Sequence, residues 1–323
     1  MNIPRRDLLR LAAGAAALPA VSGIAQAEAY PSRPVRLVVG LPPGNSPDIV
    51  ARLMAQWLSQ QLGQAFVVEN RPGVATNLAT EMVVRSAADG YTLLLVVAGN
   101  TVNGWVYKNR SFDFMRDIAP IASIGGIPLA MVVTPSLPAK SIPEFIAYAK
   151  ANPGKINMGS SGNASLPHIL GAMFDMMAGV DMLHVPYKDS VFPDLLAGQV
   201  QVAFEPVPAV VGFIKAGKLR PLGVSTKEPL NVLPGVPPIA QFVPGYEALG
   251  WLGLGAPRNT PSDVIEKLHA TVNAGLADPK FKASLDALGV VAASMSRADF
   301  ERFTAAESEK WGKVVKFADI KAD

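Results

Sequence analysis

The chain alternates short apolar runs with longer segments whose apolar residues recur at helical spacing. The first apolar run, Val35–Val39, is continuous and rich in Val, which predicts a buried strand. A turn rich in Gly and Pro follows it, and the next segment carries apolar residues on one helical face. We therefore predict a strand, a turn and a helix over residues 35–62, with Ser46 as the helix N-cap and Pro47 at the first helical position.

Strands and helices continue to alternate as far as residue 128, which favours a parallel sheet with short crossovers. Because ligands bind outside the carboxyl ends of such strands, the turns after them are candidate binding segments. The predicted strands are Val35–Val39, Phe66–Glu69 and Thr92–Val97, the helices are Pro47–Leu62 and Asn77–Ser86, and the turns are Gly40–Asp48, Asn70–Asn77 and Ala98–Asn103.

A second α/β unit follows the first. Two short β-like runs, Ile121–Ile124 and Ala130–Thr134, are interpreted as a crossover between two lobes, and residues 136–245 then repeat the alternation. After a return strand over Tyr246–Ala256, the remaining helices are expected to pack back on the first lobe. We assign residues 28–128 and 250–323 to lobe 1 and residues 129–249 to lobe 2, with a cleft between them.

Turns rich in Gly, Ser and Asn precede helices in both lobes. Such turns are also found as ordinary well-capped connections in any α/β protein. However, their free backbone N–H groups and the positive end of the helix dipole favour an anion. Two of them facing one cleft therefore predict a site for a carboxylate or phosphate.

Residues 1–27 are predicted to be a signal peptide. They combine a basic start that contains Arg5 and Arg6, an Ala-rich apolar stretch and a small-x-small pattern at Ala25–Ala27. The alternative, a membrane anchor, is disfavoured because the stretch is short and no stop-transfer charges follow it. The Arg pair resembles a twin-arginine export signal, although Pro4 precedes it, so both export routes stay open.

Composition narrows the function classes. Residues 1–27 contain three Arg and one Asp, so the rest of the chain has a formal charge of +1. With no basic block, the sequence gives no support to nucleic-acid binding, and any anion site must be local. The chain has no Cys, which excludes thiolate catalysis, thiolate metal sites and disulfides. No later apolar stretch is long enough to span a membrane.

Few residues could support catalysis. The chain has three His, and only His168 follows a candidate site turn. A hydrolase with Ser160 or Ser161 as nucleophile and His168 as base is conceivable, although no third group is suggested to orient the imidazole. The common nucleotide, zinc-protease and esterase motifs are missing from the sequence. We therefore predict a binding protein that is not an enzyme and uses no cofactor and no metal.

Several segments together resemble the Bug family of extracytoplasmic solute receptors, which serve tripartite tricarboxylate transporters. The resemblance covers essentially the whole chain after the signal peptide, and its motifs are specific in combination. They are Tyr30–Val39, Pro42–Arg52, Val67–Gly73, Asp89–Leu94, His184–Lys188, Leu195–Gln201, Lys215–Arg220 and Trp311–Val315.

This resemblance implies a two-lobed type II periplasmic-binding-protein fold, with a mainly parallel sheet flanked by helices in each lobe and the ligand in the cleft. It also implies a periplasmic receptor that captures a small carboxylate and delivers it to membrane permease subunits. The ligand-binding residues that it implies are Gly44, Asn45, Ser46 and Asp48 in lobe 1, Ser161, Gly162, Asn163, Ala164 and Ser165 in lobe 2, and, with weaker support, Thr76, Asn77, Asn100, Thr101 and Glu205.

The sequence departs from the family pattern mainly in lobe 2. The usual Gly-Thr-Ser-Ser-His after the second-lobe Asn is Ala164–His168 here, which removes hydroxyl donors and adds apolar surface, and Glu205 replaces the usual Asp. We therefore predict a ligand less polar than citrate, such as an aromatic or aliphatic monoacid. A monomer is expected. A ligand sensor that acts with a sensor kinase is an alternative, and a secreted serine hydrolase is a weaker one.

Overall fold

The computed structural model describes residues 30–322, so the predicted signal peptide lies outside the described part. Its strands are β1 Val35–Val39, β2 Phe66–Asn70, β3 Thr92–Val97, β4 Ile118–Val133, β5 Asn157–Ser160, β6 Leu183–Pro186, β7 Val202–Pro206, β8 Arg220–Val224, β9 Leu249–Pro257 and β10 Val291–Ala292.

The helices flank these strands. They are α1 Ser46–Leu62, α2 Asn77–Val84, α3 Ala98–Val106, α4 Phe114–Asp117, α5 Ile142–Ala151, α6 Leu166–Ala178, α7 Phe192–Ala197, α8 Val207–Lys215, α9 Ser262–Ala277, α10 Pro279–Ala287 and α11 Arg297–Phe317, with 3₁₀ turns at Val74–Thr76 and Ile239–Gln241. None of the helices in residues 30–322 combines the length and the apolar character that a membrane span requires.

The strands pair in the order β2-β1-β3-β9-β4-β7-β5-β6, and β8 and β10 also pair with β4. The outer strands of each lobe are parallel, as predicted, with β1 between β2 and β3, and β5 between β6 and β7. The strands that meet at β4 are antiparallel. The result is a mixed α/β sheet in a two-lobed fold, with the parallel pairs at its two ends.

The two β-like runs predicted around Gly125 and Gly126 form one strand instead. β4 is continuous for 16 residues, and its register with β9 shifts between Pro120 and Ala122 and again between Ser123 and Gly125. These irregularities let β4 bend without breaking. The segment Ile118–Pro128 pairs with β9, and Leu129–Val133 pairs with β7 and β8. The predicted crossover is therefore a strand that both lobes share.

Apolar side chains form separate clusters in the two lobes. One cluster includes Leu37, Met54 and Leu93 in lobe 1. Another includes Phe145 and Phe174 in lobe 2. All five side chains have no exposed surface. Each lobe therefore has its own apolar core, and the turns of the candidate site follow strands that belong to these cores.

The last helix, α11, contacts both lobes. Near its start, Phe300 belongs to an apolar cluster with Val96 and Trp251 of lobe 1. Near its end, the fully buried Trp311 belongs to the same cluster as Phe174 of lobe 2. The sequence predicts that the C-terminal helices return to lobe 1, and α11 goes further because its second half packs against lobe 2.

Candidate functional site

The first-lobe turn, Gly40–Asp48, is organised around a buried carboxylate. Asp48 is 1 % exposed, and its oxygens accept hydrogen bonds from the Gly44 N–H at 2.8 Å, Arg52 Nε at 3.0 Å and Asn70 Nδ2 at 2.8 Å. Burial raises the pKa of Asp48, but the hydrogen bonds from Arg52, Gly44 and Asn70 outweigh it and hold the pKa below its ordinary value. Asp48 thus shapes the turn, and its acceptor positions are already used.

The start of α1 differs from the prediction by one residue. Asn45, not Ser46, is the N-cap, because Asn45 Oδ1 accepts the Asp48 N–H at 2.9 Å, and Pro47 is the second helical residue. The side-chain amide of Asn caps a helix as well as the hydroxyl of Ser does, so the sequence alone is consistent with either Asn45 or Ser46 as the N-cap. As a consequence, the Ser46 hydroxyl and the backbone N–H groups of Asn45 and Ser46 have no protein acceptor among residues 30–322.

The turn after β2 is a left-handed segment. Val74, Ala75 and Thr76 have φ angles of 44°, 50° and 76°, in a region that costs a residue with a side chain about 1 kcal/mol or more. Thr76 precedes α2, as predicted, but its side chain makes no cap hydrogen bond. The Thr76 hydroxyl instead receives hydrogen bonds from Asn100 Nδ2 at 3.0 Å and Asn103 Nδ2 at 3.3 Å.

These asparagines belong to α3, which replaces the predicted turn Ala98–Asn103. Asn100 Oδ1 accepts the Val97 N–H at 2.7 Å, and Thr101 donates to the Ala98 carbonyl at 2.7 Å. Asn100 and Thr101 are therefore buried supports of the first lobe. Both also line a cavity of about 240 Å³ between α3, α4 and α11, which the other predicted site residues do not line.

Asn77 is placed differently from its neighbours. It is 7 % exposed, and its Oδ1 accepts from Asn103 Nδ2 at 3.2 Å. Its Nδ2 is buried and has no acceptor. Since most buried amide groups are paired, Asn77 keeps one donor available at the carboxyl edge of the first-lobe strands.

The second-lobe turn, Ser160–Ser165, leads into α6. Ser165 is the N-cap, with its Oγ accepting the His168 N–H at 3.4 Å, and Ala164 has a φ of 57°. Asn163 Nδ2 donates to the Lys321 carbonyl at 2.6 Å, which ties the turn to the residues after α11. Ser161 is exposed, and neither its hydroxyl nor its N–H bonds to another residue of the described chain.

A stacked histidine pair lies beneath this turn. Ser160 is fully buried, and its Oγ lies 2.7 Å from His184 Nε2. His168 Nδ1 accepts the Ala164 N–H at 3.1 Å, and burial together with His184 lowers the pKa of His168 to about 3. The conceivable hydrolase pairing of Ser160 or Ser161 with His168 is not formed, because His168 Nδ1 accepts the Ala164 N–H and the Ser160 hydroxyl contacts His184. Nothing local in the sequence indicates that His184, which belongs to the family motif His184–Lys188, has a partner in Ser160 of β5.

Glu205 is the penultimate residue of β7, at the same edge of the sheet. Parallel pairing of Gly159 with Ala203 puts the ends of β5 and β7 side by side, and Ser161 follows β5 directly. Burial raises the pKa of Glu205 to about 7. Each lobe thus gathers its candidate residues at the carboxyl ends of its parallel strands, as the topology predicts. The described residues hold no group of three or more His, Asp or Glu side chains that could bind a metal ion.

Comparison with known proteins places this geometry in a family. The sequence model of the tripartite tricarboxylate transporter family receptor matches residues 50–320. The protein BugT of Bordetella pertussis is 32% identical over 318 residues, covering 96% of this chain and 98% of BugT.

Solved structures agree with this match. R. palustris Rpa4515, solved with adipate, is 36% identical with a TM-score of 0.79 and covers 91% of this chain and 100% of its own. MatC from Rhodopseudomonas palustris, solved with malate, is 26% identical with a TM-score of 0.74 and covers 88% of this chain and 100% of its own. The chain therefore belongs to the Bug family of tripartite tricarboxylate transporter receptors, which are solute-binding proteins and not enzymes.

Proposed function

We propose that this protein captures a small carboxylate in the cleft between its lobes and passes it, chemically unchanged, to the membrane subunits of a tripartite tricarboxylate-type transporter. It acts in the periplasm as a monomer, after removal of residues 1–27. The lobes meet where β4 changes partners between Pro128 and Leu129. Ligand contacts to both lobes would favour the closed arrangement, because only that arrangement satisfies both sets of contacts.

The observation that carries this proposal is a pair of unused donor sets, one at the N-terminus of α1 and one in the turn between β5 and α6. Ser46 begins α1, and Ser161 lies in the turn that leads to α6. Both hydroxyls and both backbone N–H groups have no partner among residues 30–322. Unpaired N–H groups at a helix start bind anions, and the helix dipole adds to the attraction. A carboxylate between the lobes would supply the missing acceptors.

The ligand class follows from the surface around the second-lobe turn. Leu166 and Pro167 stand where the family pattern has hydroxyl residues, and Leu166 packs beside the cores of both lobes. Relatives have been solved with adipate and with malate, which are dicarboxylates. The lower count of polar groups here supports a less polar ligand, an aromatic or aliphatic monoacid.

Titration calorimetry with the variants Ser46→Ala and Ser161→Ala tests the proposal. The probes are benzoate, hexanoate, adipate, malate and citrate, together with any acid that mass spectrometry finds bound to the purified protein. Each variant should lower the affinity for the bound acid about tenfold, since it removes one hydrogen bond to a charged group. The matched control is Ser262→Ala, which changes the exposed first residue of α9, at the opposite end of the sheet.

The control should bind as the wild-type protein does. Equal affinity in all three variants would place the ligand elsewhere and contradict the proposed site. Release of a chemically altered acid would contradict the proposed function. Strong binding of citrate and malate without binding of benzoate or hexanoate would refute the monoacid class alone.

A further inference from the structure

Glu205 is a buried acid without a partner among residues 30–322. The residue is 7 % exposed, its Oε1 is enclosed with no hydrogen-bond donor nearby, and none of the described ion pairs involves it. Burial alone raises its pKa to about 7, with no neighbouring charge contributing. Buried carboxylates are ordinarily paired, because an isolated charge in an apolar environment is costly. The missing donor therefore needs an explanation.

The position of Glu205 supplies one. β7 lies between β4 and β5, with Ala130 opposite Glu205 on β4. Extending the Gly159–Ala203 register by two residues brings Glu205 level with Ser161 of the second-lobe turn. Strand alternation puts Glu205 on the sheet face of Ala203, whose apolar cluster also contains Val207. Glu205 thus lies at the carboxyl edge of the sheet, level with the turn proposed to bind the ligand, on a sheet face that carries an apolar cluster.

Such a group discriminates between ligands by charge. A hydroxyl or ammonium group of the ligand would give Glu205 the donor that the described part of the chain does not supply. A second ligand carboxylate would meet a like charge, or would require Glu205 to stay protonated. Because a hydrogen bond to a charged group is stronger than one between neutral groups, the two outcomes should differ by about tenfold or more in affinity.

We propose that Glu205 is a specificity-determining residue that accepts a hydrogen bond from a hydroxyl or ammonium group of the ligand, so that the ligand is a monocarboxylate with such a donor away from its carboxylate. This inference rests on the proposed function, because it presupposes that the ligand carboxylate is held by the two turns. Beyond the proposed function, the inference specifies which polar group the ligand carries in addition to its carboxylate.

The test compares matched acids in titration calorimetry at pH 8. Butyrate, valerate and hexanoate are each paired with their terminal hydroxy, amino and carboxy analogues, and benzoate is paired with its hydroxy derivatives. In the wild-type protein, the best hydroxy or amino acid should bind about tenfold or more tightly than its parent. The analogue with a second carboxylate should bind more weakly than the donor-bearing acid.

Two variants separate the roles of charge and shape. Glu205→Gln keeps an acceptor oxygen but no charge, so it should lose the preference for the amino acid and retain that for the hydroxy acid. Glu205→Ala should lose both preferences while still binding the parent acid. The matched control is Glu228→Gln, an exposed residue of the same lobe, which should change neither.

A measurement on the wild-type protein covers the case in which a variant does not fold. At pH 7, binding of an amino acid probe should release protons, because the ammonium group favours ionised Glu205. Titrations in buffers of different ionisation enthalpy detect this release. No release, or equal affinity for donor-bearing and parent acids, would overturn the inference while leaving the proposed function intact. If none of the acids binds, the proposed function itself fails.

Discussion

The imidazole rings of His168 and His184 are stacked, with their centroids 3.5 Å apart and their planes inclined by 8°. The pair connects α6 to β6 directly beneath the second-lobe turn. His168 holds the Ala164 N–H, and His184 holds the Ser160 hydroxyl. The conformation of the turn therefore depends on His168 Nδ1 staying unprotonated and on the contact between His184 and the Ser160 hydroxyl.

The first prediction concerns pH. The pKa of His168 is about 3 in the folded protein, against an ordinary value of 6.5, because burial and His184 disfavour its charged form. Its contribution to stability is therefore present above pH 6.5 and is lost as the pH falls toward 3. Between pH 7 and pH 5 the free energy of unfolding should drop by about 2 kcal/mol from this group.

Urea unfolding at the two pH values measures this change. His168→Asn keeps an oxygen that can accept the Ala164 N–H but cannot take up a proton, so its stability should fall less than that of the wild-type protein. The same pH slope in both proteins would contradict the role assigned to His168.

The second prediction concerns the left-handed turn. Val74 has a φ of 44° and is 62% exposed, so Val74→Gly relieves backbone strain and loses little packing. The variant should be more stable by about 1 kcal/mol in thermal or urea unfolding. The control, Val67→Gly, changes a similarly exposed residue within β2 and should destabilise by about 0.5–1 kcal/mol. Loss of stability at position 74 would show that the turn is not strained.

The third prediction concerns Asp175 in α6. Burial raises its pKa to about 7, so its protonated form is favoured in the folded protein and the associated stability is lost as the pH rises through 7. Asp175→Asn should therefore be more stable than the wild-type protein at pH 8 by about 1 kcal/mol or more, with a smaller difference at pH 5. The exposed Asp189→Asn serves as control in the same urea titrations and should show no such pH-dependent gain.

The fourth prediction concerns the contact between α11 and α3. A methyl group at Gly312 would overlap the ring of Trp105, whereas one at Gly212 in α8 would meet open space. Gly312→Ala should therefore destabilise by about 1–3 kcal/mol, and Gly212→Ala should stabilise by about 0.5–1 kcal/mol. Opposite changes in the free energy of unfolding for the two variants would confirm that the contact with Trp105, and not helix propensity, decides the effect at Gly312. A gain at both positions would argue against close packing of the two helices.

The sequence predicts the elements of this fold closely where a local pattern controls them. β1 and β3 have the predicted bounds, because a continuous Val-rich or Leu-rich run marks each of them. It fails where partners distant in the chain decide the structure. β4 is continuous because β9 supports it across two glycines, and residues 98–103 are helical because Asn100 and Asn103 are held by the turn at Thr76.

The same distinction holds for the site. The turns themselves are visible in the sequence as Gly- and Asn-rich segments before helices. The sequence does not show which polar groups stay without a partner. Asp48, Asn100 and Asn163 are all polar residues of such turns, yet each is hydrogen-bonded within the protein. Only the three-dimensional contacts separate them from Ser46 and Ser161, whose binding role is still a prediction.

β4 also constrains how the molecule can be divided. Ile118–Pro128 lies between β9 and β10 for part of its length, and Leu129–Val133 lies between β7 and β8. A fragment that lacked its own segment of β4 would leave the strands on either side of that segment without a neighbour. Their unpaired edges would then promote aggregation. Chimeras that exchange a whole lobe between relatives should therefore carry the matching segment of β4 with the exchanged lobe.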